Sequence, residues 1–263
     1  MKSSEHSKFR KLFGRPTASV PAIGLPWALA LLSRMALAGP PFVTDDPEPV
    51  EHRHWELYVG SNDTRTIEGW SGTAPHLEAN YGVVPEVQLH LLAPLAYSAP
   101  QKGNSHYGLG DVEIGTKFRF LHEGSRTPQI GTFPLLEIPT GSRSRDLGNG
   151  SAEVFVPLWF QKSFEDWTTY GGAGPWFDLD SPEHPWWFFG WLLQRRFAQM
   201  LTVGAEIFHL TPQSTEGDRD THFNVGALID VSTTHHLLLS AGRSVWGPIR
   251  FGTYAAWLIT LGA

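Results

Sequence analysis

Residues 110–121 read Gly-Asp-Val-Glu-Ile-Gly-Thr-Lys-Phe-Arg-Phe-Leu. Every second position belongs to one of two rows. Val112, Ile114, Thr116, Phe118 and Phe120 form an apolar row, and Asp111, Glu113, Gly115, Lys117 and Arg119 form a charged one. Successive side chains of a strand point to opposite faces, so the stretch is a strand with one oily and one charged face. The same alternation recurs from about residue 53 to the C-terminus, without a convincing helical period. Val87, Leu89 and Leu91 alternate with Gln88 and His90; Val203, Ala205 and Ile207 with Gly204 and Glu206; Phe223, Val225 and Ala227 with Asn224 and Gly226. The fold expected is all-β: an up-and-down antiparallel transmembrane β-barrel of about twelve strands, apolar outside and polar within.

The connections carry the same message. Short ones (Val84-Pro85, residues 122–127, 164–166, 198–199 and 232–234) alternate with mostly longer ones rich in Gly, Pro, Ser, Asp and Asn (61–75, 97–109, 139–152, 176–185, 210–221 and 244–248). Tight turns at one rim and longer loops at the other are the habit of such barrels. An even strand number places both chain ends on the short-turn side. Three prolines, Pro94, Pro134 and Pro157, fall inside expected strands, where each removes a ladder donor.

Composition fits. The chain has 263 residues, 17% charged, with a mean hydropathy of −0.19. A helical membrane protein would be greasier, whereas alternation hides the apolar wall in a bland average. No cysteine is present, so disulfides and thiolate metal sites are excluded. Residues 1–38 read as a secretory signal peptide: Lys2, Lys8, Arg10, Lys11 and Arg15, then an apolar stretch from Val20 to Leu32, then Ala36-Leu37-Ala38 as a cleavage site. The remainder holds 14 bases against 25 acids. With no basic patch, nucleic acid is not an expected partner. Residues 39–52, with four prolines and the acids Asp45, Asp46, Glu48 and Glu51, cannot form a regular element and read as an irregular periplasmic N-terminal segment, a solvated acidic arm. Residues 53–263 are the barrel.

Tryptophan prefers the headgroup zone, where its ring is buried and its N–H stays wet. Trp55, Trp167, Trp176, Trp186, Trp187, Trp246 and Trp257 fall near expected strand ends and are assigned to aromatic girdles. The inward row supplies the candidate lumen-facing residues: Glu78, Glu86, His90, Asp111, Glu113, Lys117, Arg119, Arg196, Glu206, Asp230 and Arg250. Catalytic signatures are lacking. There is no Gly-x-Ser-x-Gly elbow and no His-Glu-x-x-His helix, and the Gly108-x-Gly110 pair opens a strand. No catalytic residue, metal site or cofactor is assigned, and the chain is not read as an enzyme.

Several short motifs resemble the outer-membrane transporter family named after the meta-cleavage (MetA) pathway of phenol degradation. They are Phe42-Val43-Thr44-Asp45-Asp46-Pro47, His54-Trp55-Glu56-Leu57, the Gly108-Leu109-Gly110-Asp111 strand opening and Ile138-Pro139-Thr140-Gly141. The resemblance implies a bacterial outer-membrane barrel that passes small solutes, aromatic compounds among them. The expectation is therefore passive passage through a narrow polar lumen. The expected partners are outer-membrane lipid, the small-molecule solute and, in transit, the barrel assembly machinery. Two rival readings are a structural or adhesive barrel with a plugged lumen, and a soluble secreted β-sandwich acting on glycans, with Glu113 and Glu137 as its carboxylates.

Overall fold

The computed structural model describes residues 41–180, 185–213 and 219–262. The signal peptide and residues 39–40 lie outside the described residues. Among the described residues the chain forms twelve antiparallel strands. They are β1 (Trp55–Arg65), β2 (Gly69–Val84), β3 (Val87–Pro100), β4 (His106–Leu109 with Val112–Leu121), β5 (Gln129–Thr132 with Leu135–Ile138) and β6 (Glu153–Phe155 with Leu158–Phe164). The second half is β7 (Trp167–Asp178), β8 (Trp186–Ala198), β9 (Leu201–Leu210), β10 (Asp220–Asp230), β11 (His235–Trp246) and β12 (Phe251–Leu261).

Each strand pairs with its neighbours in the chain, and β1 pairs with β12 from Trp55↔Leu261 to Arg65↔Phe251. That seam closes the sheet into a barrel, which leaves no free edge. It also brings the first and last strands to the rim that carries the short turns.

The alternation of residues 110–121 survives in three dimensions. Ile114, Phe118 and Phe120 are exposed on the outer wall, while Lys117 between them is buried. Leu89, Leu91, Trp191, Leu193, Val225 and Leu239 continue the oily exterior on other strands. No second layer covers Phe118, which is 43% exposed, so the β-sandwich reading is set aside. An arginine on the lipid side of such a wall costs about 2–4 kcal/mol at mid-membrane. Leu91→Arg is expected to lower the unfolding free energy of the barrel in lipid vesicles by that amount, read from denaturant titration; an unchanged value would count against an oily surrounding.

Two of the long loops expected from composition are largely strand. β1 and β2 run on to within three residues of each other, leaving residues 66–68 as the turn, and residues 101–105 join β3 to β4. Polar, Gly- and Ser-rich sequence still carries a hydrogen-bonded ladder there, with neither face needing to be apolar. The prolines are absorbed in different ways. Pro94 stays within β3, whereas Phe133-Pro134 and Val156-Pro157 interrupt the adjacent strands β5 and β6. Thr132 Oγ1 donates to the Pro157 carbonyl at 2.6 Å across that break.

Candidate functional site

The interior is not uniformly polar, which corrects the expected lumen. Much of the inner wall on β5–β9 is aromatic. Phe133, Phe155, Trp159, Phe188 and Phe208 form a buried cluster, with Trp176, Leu135 and Leu210 packed against it. Phe155, Trp176 and Trp186 are directly opposite one another on β6, β7 and β8, and their rings stack at 4.7 and 5.2 Å. A second tier runs from Trp159 through Phe188 and Phe208 to His222, with ring separations of 5.8, 5.8 and 5.1 Å.

Trp176 and Trp186 therefore leave the girdle assigned to them. Trp186 is buried and Trp176 stacks on it inside the barrel. β8 carries Trp186, Phe188 and Leu192 on its inner face and Trp187, Phe189 and Trp191 on its outer face, so alternation of polarity gives no sign of which face is which. Trp55, Trp167, Trp187, Trp246 and Trp257 are exposed near strand ends.

A second apolar cluster, of Tyr58, Leu228, Leu238, Ala256 and Leu258, lies on β1 and β10–β12, and polar groups gather on β2–β4 and beside the rings on β5–β7. His90 Nε2 meets Glu113 at 2.9 Å, and its Nδ1 meets Asn80 at 2.7 Å. The Asn80 amide also reaches Glu78. Glu113, Glu137, Glu153 and Asp178 are direct cross-strand neighbours on β4, β5, β6 and β7, an uninterrupted row of carboxylates. Like charges opposite one another destabilise a sheet, so the row is an arrangement the chain maintains at a cost.

Of residues 39–52, expected as a solvated arm, residues 41–50 instead cross this interior as an irregular strap. The Ser240 hydroxyl on β11 donates to the Pro41 carbonyl at 2.6 Å. Both oxygens of Glu206 on β9 accept from the strap, from the Val43 and Thr44 N–H groups at 3.0 and 2.8 Å, and Asn224 holds the same carboxylate. Lys117 on β4 pairs with Asp45 at 2.9 Å and stands 3.8 Å from Asp46. Glu48 accepts from Gln129 and Gln161 and pairs with Arg119. The Val50 N–H donates to Gln88 on β3. The strap is thus bonded to opposite sides of the barrel, which is why it fills the passage rather than trailing from it. Thr44 and Asp46 are fully buried. Burial pushes the Asp46 carboxyl well above the usual carboxylate range, against the pull of Lys117.

The lumen candidates fall into two groups. Glu78, His90, Glu113, Lys117 and Glu206 are bonded to each other's neighbours or to the strap, with Arg119 between strap and rim. Glu86, Arg196, Asp230 and Arg250 sit at the rims, a correction to their expected lumen position. Glu86 occupies the β2–β3 turn with a left-handed φ of 68° and pairs with Arg119 at 2.6 Å. Asp230 bonds His236 beside the β10–β11 turn. The backbone N–H groups of Arg196 and Arg250 close rim contacts to Asp166 and Arg65. Asp111 accepts from the Gly141 and Asn149 N–H groups of the β5–β6 loop. Gln88, Gln129, Gln161 and Ser240 hold the strap without carrying a charge that sequence could flag. Gln88 and Asn224 fall in the inward-facing rows of their strands, and their neutral side chains give no charge signal.

Above the strap lies a cavity of about 660 Å³ between β12, β1–β3 and residues 146–149 of the β5–β6 loop. Glu78, Asp111, Glu137 and Asp146 line it together with Tyr97, Tyr254 and His76, and its lining holds no lysine or arginine. Among the described residues no group of three or more His, Asp or Glu side chains is placed to hold a metal ion.

A family model, described as the MetA pathway of phenol degradation, matches residues 56–259. Among solved structures the chain is similar to the COG4313 outer membrane channel from Pseudomonas putida F1. The two share 17% identity over 82% of this chain and 98% of that one, with a TM-score of 0.66. It is also similar to the NanC porin (6% identity, 78% of this chain and 100% of that one, TM-score 0.59). A third likeness is to the KdgM porin in complex with disordered oligogalacturonate (11% identity, 78% and 99%, TM-score 0.53). At these identities the likeness is one of fold. No curated protein matches the chain.

Proposed function

This chain belongs to the family described as the MetA pathway of phenol degradation, and on that premise we propose that it is an outer-membrane channel for small solutes, with aromatic compounds favoured among them. The observation that carries the reading is the divided interior. Stacked rings line much of β5–β9, and a row of carboxylates crosses β4–β7 beside them, with amide and imidazole partners on β2 and β3. A flat solute with one polar edge can lay its ring along Phe155, Trp176 and Trp186 and turn its hydrogen-bond donors toward Glu137 or Glu78. Offset ring stacking contributes about 0.5–1.5 kcal/mol per pair, enough to bias passage without trapping the solute. Charges on the inner wall are tolerable because water and amides meet them, as on the lumen side of barrels generally. The strap narrows this path, so passage requires it to yield.

Liposomes carrying the folded protein are expected to take up phenyl glucoside, a membrane-impermeant aromatic, faster than the smaller methyl glucoside. Equal rates would remove the aromatic preference. Liposomes that stay tight while the protein migrates as a folded, heat-modifiable barrel would overturn transport itself. That outcome would leave the second reading, a plugged structural barrel, which the strap's buried position favours.

A further inference from the structure

Two of the short motifs quoted above, Gly108-Leu109-Gly110-Asp111 and Ile138-Pro139-Thr140-Gly141, are 30 residues apart in sequence and meet in space. β4 is interrupted at Gly110 and Asp111, where its ladder would otherwise be left open. Thr140 fills the break: its hydroxyl donates to the Gly110 carbonyl at 2.7 Å and accepts from the Val112 N–H at 3.1 Å. The Asp111 carboxylate, freed from a regular strand position, reaches the β5–β6 loop. One oxygen accepts from the Gly141 N–H at 2.8 Å and the other from the Asn149 N–H at 2.6 Å.

Between those two anchors the loop turns back on itself. Residues Arg143–Arg145 form one 3₁₀ turn, and Asp146 ends it in the left-handed region at φ 54°. That reversal drives Leu147 onto the inner wall, where it is 5% exposed. Its seat exists because Gly108 and Gly110 have no side chains; a Cβ at Gly108 would stand 3.3 Å from a Leu147 methyl. Gly148 is equally constrained, since a Cβ there would overlap the Asp111 carboxylate. A third attachment comes from Asn149, whose side-chain amide donates to Glu137 at 2.6 Å and stands 3.4 Å from Glu153.

We propose that the β5–β6 loop, folded inward and held by Asp111, is the size-determining constriction of the upper lumen. The inference rests on the channel reading. Residues 146–149 form one wall of the 660 Å³ cavity, opposite Tyr254 on β12 and His76 on β2. Released from Asp111, the loop would leave that wall and the cavity would open across the full width of the barrel. Asp111 acts by positioning: it fixes the loop, and the loop limits what passes. The arrangement explains why an acid follows the Gly-x-Gly pair in a strand that the ladder alone would not interrupt.

Absence of native cysteine makes the test direct. Leu147→Cys in the otherwise unaltered chain is expected to react with a maleimide at least ten times more slowly than the exposed control Lys102→Cys. Adding Asp111→Ala should bring the two rates together. In liposomes, Asp111→Ala and, independently, Gly108→Phe, which fills the leucine's seat, should admit a trisaccharide that the parent excludes. Heat-modifiable migration on a detergent gel verifies that each variant is a folded barrel. If Leu147→Cys reacts as fast as Lys102→Cys in the parent, the loop is not docked and the proposal falls. If the loop is released while the solute cut-off stays where it was, docking stands and the size-determining role falls, with the channel reading intact. If the parent admits no solute of any size, the channel reading fails and takes the proposal with it.

Discussion

Lys117→Ala is expected to unseat the strap and raise the time-averaged conductance of the barrel steeply. The ammonium group is buried on β4 and answers Asp45 at 2.9 Å and Asp46 at 3.8 Å. Removing one partner of a buried pair costs about 3–5 kcal/mol, because the remaining charge keeps its desolvation penalty and loses its compensation. The barrel wall has its own ladder and need not absorb that cost; the strap can shed it by leaving. At about 1.4 kcal/mol per tenfold, the population with the strap displaced rises by on the order of a hundredfold or more. Single-channel recording should show longer or larger open events, and limited proteolysis should cleave between residues 44 and 50, a stretch the parent protects. Lys117→Arg keeps the charge and should restore much of the parent behaviour. Conductance and protease resistance that both stay at parent levels in a folded Lys117→Ala barrel would show that the strap does not depend on this pair.

Trp159→Ala should be the most damaging change on the aromatic wall. Trp159 is 2% exposed and packs against Phe155 and Phe188, with ring centroids 6.3 and 5.8 Å away. Truncating a buried tryptophan typically costs about 3–5 kcal/mol, since transfer energy and cavity both count. Trp167→Ala, which removes a ring exposed at the rim, should cost far less. The denaturation midpoint in lipid measures the first effect. The ratio of phenyl to methyl glucoside uptake measures the second, and it should fall toward one in Trp159→Ala if the rings guide the solute. A ratio unchanged from the parent would detach the aromatic cluster from selectivity and leave it as packing.

The wall of the barrel was legible in the sequence because its physics is local. A strand exposed to oil on one side and water on the other must alternate, and Ile114, Lys117 and Phe118 show their faces at once. Where both faces are apolar the signal vanishes, and Trp186 could not be told from Trp187. The strap was legible only as something that is neither helix nor strand. Its partners are remote: the Val43 and Thr44 N–H groups meet Glu206 more than 160 residues away. No periodicity reports such a pairing. The loop held by Asp111 lies between these cases. Its two motifs were visible as short runs of Gly, Asp and Thr, but their meeting depends on a break in β4 that regular alternation argued against.

The division of the inner wall has an electrical consequence. With carboxylates gathered on β4–β7 near one rim, imidazole and amide groups on β2 and β3, and polarisable rings across β6–β9, charge is distributed unevenly around the bore. The resulting field has a component perpendicular to the axis of travel, and low-dielectric walls concentrate it. A molecule with a dipole would be turned sideways before it advances, surrendering tumbling freedom at the mouth. Two isomers of one mass and one diameter, differing only in where a hydroxyl sits on the ring, would then cross at different rates.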